Sequence, residues 1–141
     1  MNNIVLYTCI TNDYDKLIEI NNPEKNIDYI CFSDSLLISK TWKIIQISNH
    51  LNLDNARLSR YPKIMPHLFL KDYDKSIYVD ARVQVIGNIT QFVLETLQNY
   101  NWYVCKHPSR TCIYQEYLAI KKQKKDSDLI IDNQIKKYKK E

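Results

Sequence analysis

Ile4-Val5-Leu6-Tyr7-Thr8-Cys9-Ile10, followed by Thr11-Asn12-Asp13, is the stretch from which the fold is read. The first seven residues are β-branched or apolar with no helical break, and the polar triplet is a turn signal, so the spacing predicts a buried strand that feeds a loop. Residues 29–32 repeat the pattern. Residues 42–47 alternate apolar and polar side chains, residues 77–79 and 83–86 are β-rich on either side of Asp80, and residues 102–105 make the last strand candidate. Between them, Leu58, Tyr61, Met65 and Leu68 recur at roughly helical spacing in residues 58–70, where Pro62 and Pro66 are expected to kink or shorten the helix. Residues 90–100 place Val93, Leu97 and Tyr100 on one helical face with Thr90 as the expected N-cap. Two lysine-rich helices are expected over residues 114–125 and 127–140, the apolar stripe of the second ending at Tyr138. Strands alternating with helices predict an α/β sandwich with a mostly parallel sheet, as a single domain over residues 1–141. In such sheets ligands bind beyond the carboxyl ends of the strands, which directs attention to the loops after Cys9, Phe32, Val79 and Cys105.

Composition bounds the rest. With 45% hydrophobic and 11% aromatic residues, 141 residues supply a real core. No apolar run is long enough to span a bilayer, and residues 1–10 lack a basic start and a cleavage site, so a soluble, cytoplasmic protein without membrane insertion is expected. Cys9, Cys31, Cys105 and Cys112 form no Cys-x-x-Cys pair and have no His at zinc-ligand spacing, which reads as buried or reduced thiols. The net charge of +4 is carried by residues 121–141, where eight Lys face four acids. Those lysines are interleaved with Leu129, Ile131, Ile135 and Tyr138, the pattern of a solvated helix face, and no nucleic-acid partner is expected. The Asn88-Ile89-Thr90 sequon would matter only in a secretory compartment.

Several polar groups cluster where the loops are expected. Thr8, Thr11, Asn12, Asp13, Tyr14 and Asp15 offer hydroxyls, an amide, a ring and carboxylates suited to a base and ribose, or simply to a polar turn. Asp34 is equally suited to a ribose hydroxyl and to capping a helix. Arg57, Arg60 and Lys63 recur every three residues and share a helical face that His67 extends, either as a solvated basic face or with one cation reaching a diphosphate. Tyr78-Val79-Asp80-Ala81-Arg82-Val83 is the most informative segment, because it sets a carboxylate and a guanidinium inside an apolar stretch, where charge is costly unless used or paired. If this stretch is a strand, Asp80 and Arg82 point the same way and suit a shared ligand. Lys106, His107, Ser109 and Arg110, with Glu116 on the next helix, form a cation cluster with one carboxylate. His107 and Glu116 are each conceivable general bases there.

Tyr78–Val83 followed by Gly87-Asn88-Ile89 resembles the stretch around the Asp-x-Asp motif of glycogenin-like GT-A glycosyltransferases, and Arg60–Ile64 and Asp72–Lys75 match too. A closer resemblance is to the plant and bacterial glycosyltransferase-like family of pectin and seed-mucilage synthesis. It is carried in order by Tyr7-Thr8, Tyr14-Asp15, Cys31-Phe32-Ser33-Asp34, Thr41-Trp42-Lys43, Arg60, Lys63, His67, Asp80 and the series from His107 to Glu116. The resemblance implies a GT-A-like (Rossmann-like) α/β fold, a mostly parallel sheet flanked by helices. It implies sugar transfer from a nucleotide-diphosphate donor to a saccharide or other hydroxyl acceptor. Thr8, Tyr14, Asp15 and Asp34 would surround the nucleoside, Lys63 would approach the diphosphate, and Asp80 the ribose or a Mn2+ or Mg2+ ion. His107, Arg110 and Glu116 would lie toward the acceptor. Arg82 stands where the motif has its second carboxylate, so the guanidinium is expected to meet the leaving diphosphate directly. Family members continue past residues 134–138, which leaves a nucleotide-sugar or glycan-binding module without turnover as the alternative expectation.

Overall fold

A computed structural model of the chain describes residues 3–139 and divides into two compact units, Met1–Asn99 and Tyr100–Glu141. In the first, β1 (Ile4–Ile10), β2 (Ile27–Ser33), β3 (Lys43–Gln46) and β4 (Lys75–Tyr78) form one sheet in the order β3-β2-β1-β4, every pair parallel. The chain therefore steps outward from β1 to β3 and then crosses back to add β4 on the other side of β1. This is a Rossmann-like α/β sheet.

The reading of β1 as a buried strand holds along its whole length, because a central parallel strand has both faces covered. Ile4, Leu6 and Ile10 pack with Tyr29, Cys31, Trp42, Ile89 and Val93 on one face. Val5, Tyr7 and Cys9 pack with Ile30, Phe32 and Leu70 on the other. Helices cover both faces: α3 (Ile89–Thr96) supplies Ile89 and Val93 to the first cluster, while Phe69 of α2 (Pro66–Phe69) packs against the second.

Of the two prolines, only Pro66 breaks the expected helix; Pro62 does not end it. In α1 (Asn55–Ile64) Asp54 is the N-cap, accepting the Arg57 N–H at 2.9 Å, and Pro62 is tolerated inside the helix. Pro66 has no N–H to continue the ladder, so α1 ends at Met65 and α2 starts anew with proline at its first turn.

Residues 11–26 and 34–42 connect parallel strands without a helix, so side chains must satisfy their backbone. Glu19 does most of this, accepting the N–H groups of Lys40 and Thr41 at 2.9 and 3.1 Å and the hydroxyls of Ser39 and Thr41. Those bonds, the Thr41 hydroxyl first, hold its carboxyl down at about 2. The Trp42 indole N–H reaches the Ile18 carbonyl at 2.8 Å. Glu24 accepts the N–H groups of Ile89 and Thr90 and the Thr90 hydroxyl, fastening the first connection to the start of α3. Burial pushes the Glu24 carboxyl up, but these donors outweigh it and hold it below the usual range.

Three expectations are corrected. Residues 83–86 are not a strand: the Val83 N–H closes a turn onto the Asp80 carbonyl at 2.9 Å and diverts the chain from the sheet. Residues 102–105 join no strand either, and Trp102 is 81% exposed. Asn88, not Thr90, caps α3, accepting the Gln91 N–H, because Thr90 already belongs to Glu24. In the second unit α4 (Ile113–Lys122) and α5 (Asp128–Tyr138) are tied by Asp132, which accepts the Tyr117 hydroxyl at 2.7 Å and the Lys121 ammonium at 2.9 Å. Residue 140, in the expected last helix, lies outside the described residues. All four cysteines are free; Cys9 and Cys31 are buried, but Cys105 and Cys112 are exposed because the segment around them joins no sheet.

Candidate functional site

The order of the sheet locates the site. The strand order changes direction at β1, and the loops that follow the carboxyl ends of β1 and β4 at such a switch point are where open α/β sheets bind ligands. After β1 the chain turns through Asn12 (φ 55°) and Asp13 (φ 48°), a left-handed pair that these residue types tolerate. The loop is tied to the one after β2: Asp34 accepts the Asn12 N–H at 2.9 Å, and Asp13 accepts the Ser35 hydroxyl at 2.7 Å. The Thr11 hydroxyl donates to the Asn55 carbonyl at the start of α1 at 2.8 Å. Tyr14 projects from this loop with its ring 81% exposed.

On the β4 side, the last sheet bond runs from the Val79 N–H to the Tyr7 carbonyl, and Asp80 follows it immediately. Lys63, from the last turn of α1, places its ammonium 3.8 Å from Asp80 and 4.3 Å from the centre of the Tyr78 ring. Burial, and then the Asp80 charge, pushes the Tyr78 hydroxyl well above its ordinary range, so it stays protonated beside the carboxylate. Arg82 reaches back to Asp15 on the β1 loop at 3.7 Å, and the Ile18 N–H binds the Ala81 carbonyl at 3.1 Å, so the two loops touch. Tyr14, Asp15, Asp34, Lys63, Asp80 and Arg82, distant in sequence, thus meet along one edge of the first unit.

Asp80 and Arg82 are not parallel side chains of a buried strand. They sit in a turn past the end of β4, with side chains 62% and 71% exposed, and they take different partners. Thr8 is also placed differently from its expected role. It lies inside β1 with no exposed surface, and its hydroxyl is the one buried side-chain oxygen among the described residues without a hydrogen-bond partner. Of the basic face of α1, Arg57 pairs with Asp54 and Lys63 with Asp80. His67 is exposed on α2, beside a groove lined by Pro66, Lys71, Tyr73 and Ser76 near the amino end of β4.

The second unit gathers the other expected residues into a local network. The His107 Nδ1 accepts the N–H groups of Ser109 and Arg110 at 3.1 and 3.0 Å, so a neutral ring carries its proton on Nε2. The Arg110 guanidinium pairs with Glu116.

Glu19, Glu24 and Trp42 are the supporting residues that residue-by-residue reading missed. Glu19 carries the signal that marked Asp80, a single charge inside the apolar run Leu17-Ile18-Glu19-Ile20.

A divalent cation fits this site poorly. Mn2+ or Mg2+ wants several oxygen ligands, whereas Asp80 brings one carboxylate that already faces an ammonium, and two residues on stands a permanent guanidinium charge. Among the described residues no three His, Cys, Asp or Glu side chains converge as a metal set.

A family model described as TOD1/MUCI70, glycosyltransferase-like domain, matches residues 33–141, from the last residue of β2 through α5. The match takes in Lys63, Asp80, Arg82, His107, Arg110 and Glu116. No curated protein and no solved structure matches the chain.

Proposed function

The chain belongs to the TOD1/MUCI70 glycosyltransferase-like family, and from that premise we propose that it transfers a sugar from a nucleotide-diphosphate donor to a saccharide or other hydroxyl acceptor. The observation that supports this reading is the set of groups on the loops past the carboxyl ends of β1, β2 and β4 and on the last turn of α1, an exposed ring, three carboxylates and two cations, at the switch point of a parallel sheet. Tyr14 offers a face for the base and Asp15 and Asp34 accept ribose hydroxyls. Lys63 and Arg82 meet the phosphates, and Asp80 sets the position of Lys63. Thr8 supports the β1 loop from within the strand rather than touching the donor.

In the reaction the acceptor oxygen attacks the anomeric carbon and the bond from that carbon to the phosphate oxygen breaks. The nucleoside diphosphate departs with the bonding pair, and the acceptor proton passes to a base. In the second unit taken by itself, the Nε2–H of His107 and the Arg110–Glu116 pair offer hydrogen-bonding groups suited to acceptor hydroxyls. Transfer assays with UDP-, GDP-, ADP- and CDP-sugars test the proposal, scored by release of nucleoside diphosphate with and without added saccharides. Turnover of one donor is the expected result; no turnover and no thermal shift with any of them would sink it. The guanidinium at the second motif position favours a second reading, a donor- or glycan-binding module, for which the same panel gives a thermal shift without product.

A further inference from the structure

The donor site proposed above raises the question of how the charge of a diphosphate is met, and the ion pairs on its rim bear on it. Lys63 and Arg82 each rest against one carboxylate, Asp80 and Asp15, at 3.8 and 3.7 Å. Both separations exceed a direct hydrogen bond, both cations are about half exposed or more, and neither pair has the two-pronged geometry that makes such contacts strong. Solvated pairs of this kind contribute little to stability, so exchanging the carboxylate for a better anion costs little. A diphosphate is that better anion, with more charge and more acceptor oxygens than one carboxylate.

Resting on the donor-site reading, we infer that Lys63 and Arg82 form a metal-independent diphosphate clamp, held in reserve by Asp80 and Asp15 and released to the phosphates when donor binds. Lys63 is steadied for this by the Tyr78 ring beneath its ammonium. Arg82 is carried on the turn that the Val83 N–H closes onto Asp80 and that the Ile18 N–H braces at Ala81. The guanidinium stands two residues after Asp80 and brings a permanent positive charge to the side of the leaving group. Asp80 is then a counter-ion to Lys63 and not a metal ligand, and the two roles predict opposite signs for its removal. A counter-ion competes with the phosphates; a metal ligand recruits them.

The experiment titrates the full chain calorimetrically with inorganic pyrophosphate and with UDP, GDP, ADP and CDP. Each titration is run in EDTA and then with excess Mn2+ or Mg2+, for the wild type and for Asp80→Asn, Lys63→Ala, Arg82→Ala and the remote control Lys43→Ala. The clamp predicts at least one nucleoside diphosphate bound equally well, within about twofold, in EDTA and in metal. It also predicts about threefold tighter binding by Asp80→Asn, about tenfold weaker binding by Lys63→Ala and Arg82→Ala, and no change for the control. Affinity that appears only with metal and vanishes in Asp80→Asn overturns the clamp and leaves the proposed function standing. Metal-free binding indifferent to both Lys63→Ala and Arg82→Ala overturns it too. Absence of binding by every nucleotide in both buffers overturns the donor-site reading and the clamp with it.

Discussion

Replacing Trp42 by Phe tests whether the helix-free connections of the first unit depend on side-chain braces. Trp42 is 5% exposed, its ring stands edge-on to Tyr29 with centroids 5.9 Å apart, and its indole N–H holds the Ile18 carbonyl at 2.8 Å. Phenylalanine keeps an aromatic ring against Tyr29 but cannot donate, and it leaves part of the indole's volume empty. Losing a partly buried hydrogen bond and stranding its acceptor costs about 1–2 kcal/mol, and the missing ring atoms about 1 kcal/mol more. The sum, about 2–3 kcal/mol, lowers the midpoint of a domain of about a hundred residues by roughly 10 °C. The loss also reaches the candidate site, because Ile18 is the residue whose N–H holds Ala81 between Asp80 and Arg82. Thermal unfolding followed by far-ultraviolet circular dichroism gives the midpoint, and nucleotide titration gives the effect on the site. A midpoint within about 2 °C of wild type would refute the claim that this hydrogen bond braces the connection.

Three further outcomes follow from single sites. Thr8→Val replaces an unpartnered buried hydroxyl with a methyl of similar shape and is expected to raise stability by about 1 kcal/mol without altering nucleotide affinity; weaker binding would return Thr8 to the donor contacts. Glu19 titrates at about 2 in the folded chain against an ordinary 4.5, so its contribution is complete above pH 4.5 and fades as pH falls toward 2. Glu19→Gln is therefore less stable than wild type at neutral pH, with the gap in melting temperature closing on acidification; a gap constant from pH 7 to pH 3 contradicts the network. Burial pushes the Cys9 and Cys31 thiols up to about 12, whereas Cys105 and Cys112 are exposed. A thiol-reactive disulfide reagent at pH 8 should titrate two groups quickly in the native chain and all four in denaturant, and four fast thiols would place Cys9 and Cys31 outside the core.

The parallel sheet was legible because its central strand is apolar on both faces, a local property that residues 4–10 display without help from the rest of the chain. The break at Pro66 was legible for the same reason, since a missing N–H acts on its own turn, whereas Pro62 sits inside α1 without ending it. Asp80 stood out because a charge inside an apolar run is locally anomalous. What residues 83–86 and 102–105 do was not legible: β-branched and aromatic residues make a strand only where an edge is open to receive them, and a turn at Asp80 decides that for residues 83–86. The same turn separates Asp80 from Arg82.

The residues of the candidate site were nearly all named from sequence, but their pairings were not. Asp80 with Lys63, Asp15 with Arg82 and Asp34 with the Asn12 N–H join positions between 17 and 67 residues apart. The sequence alone thus determined which elements form and which chemical groups stand at their ends, because backbone propensity and burial are read over a few neighbouring residues. Only the tertiary structure decided which group faces which, because a pairing across a parallel sheet depends on the strand order, and that order is set by packing of the whole unit.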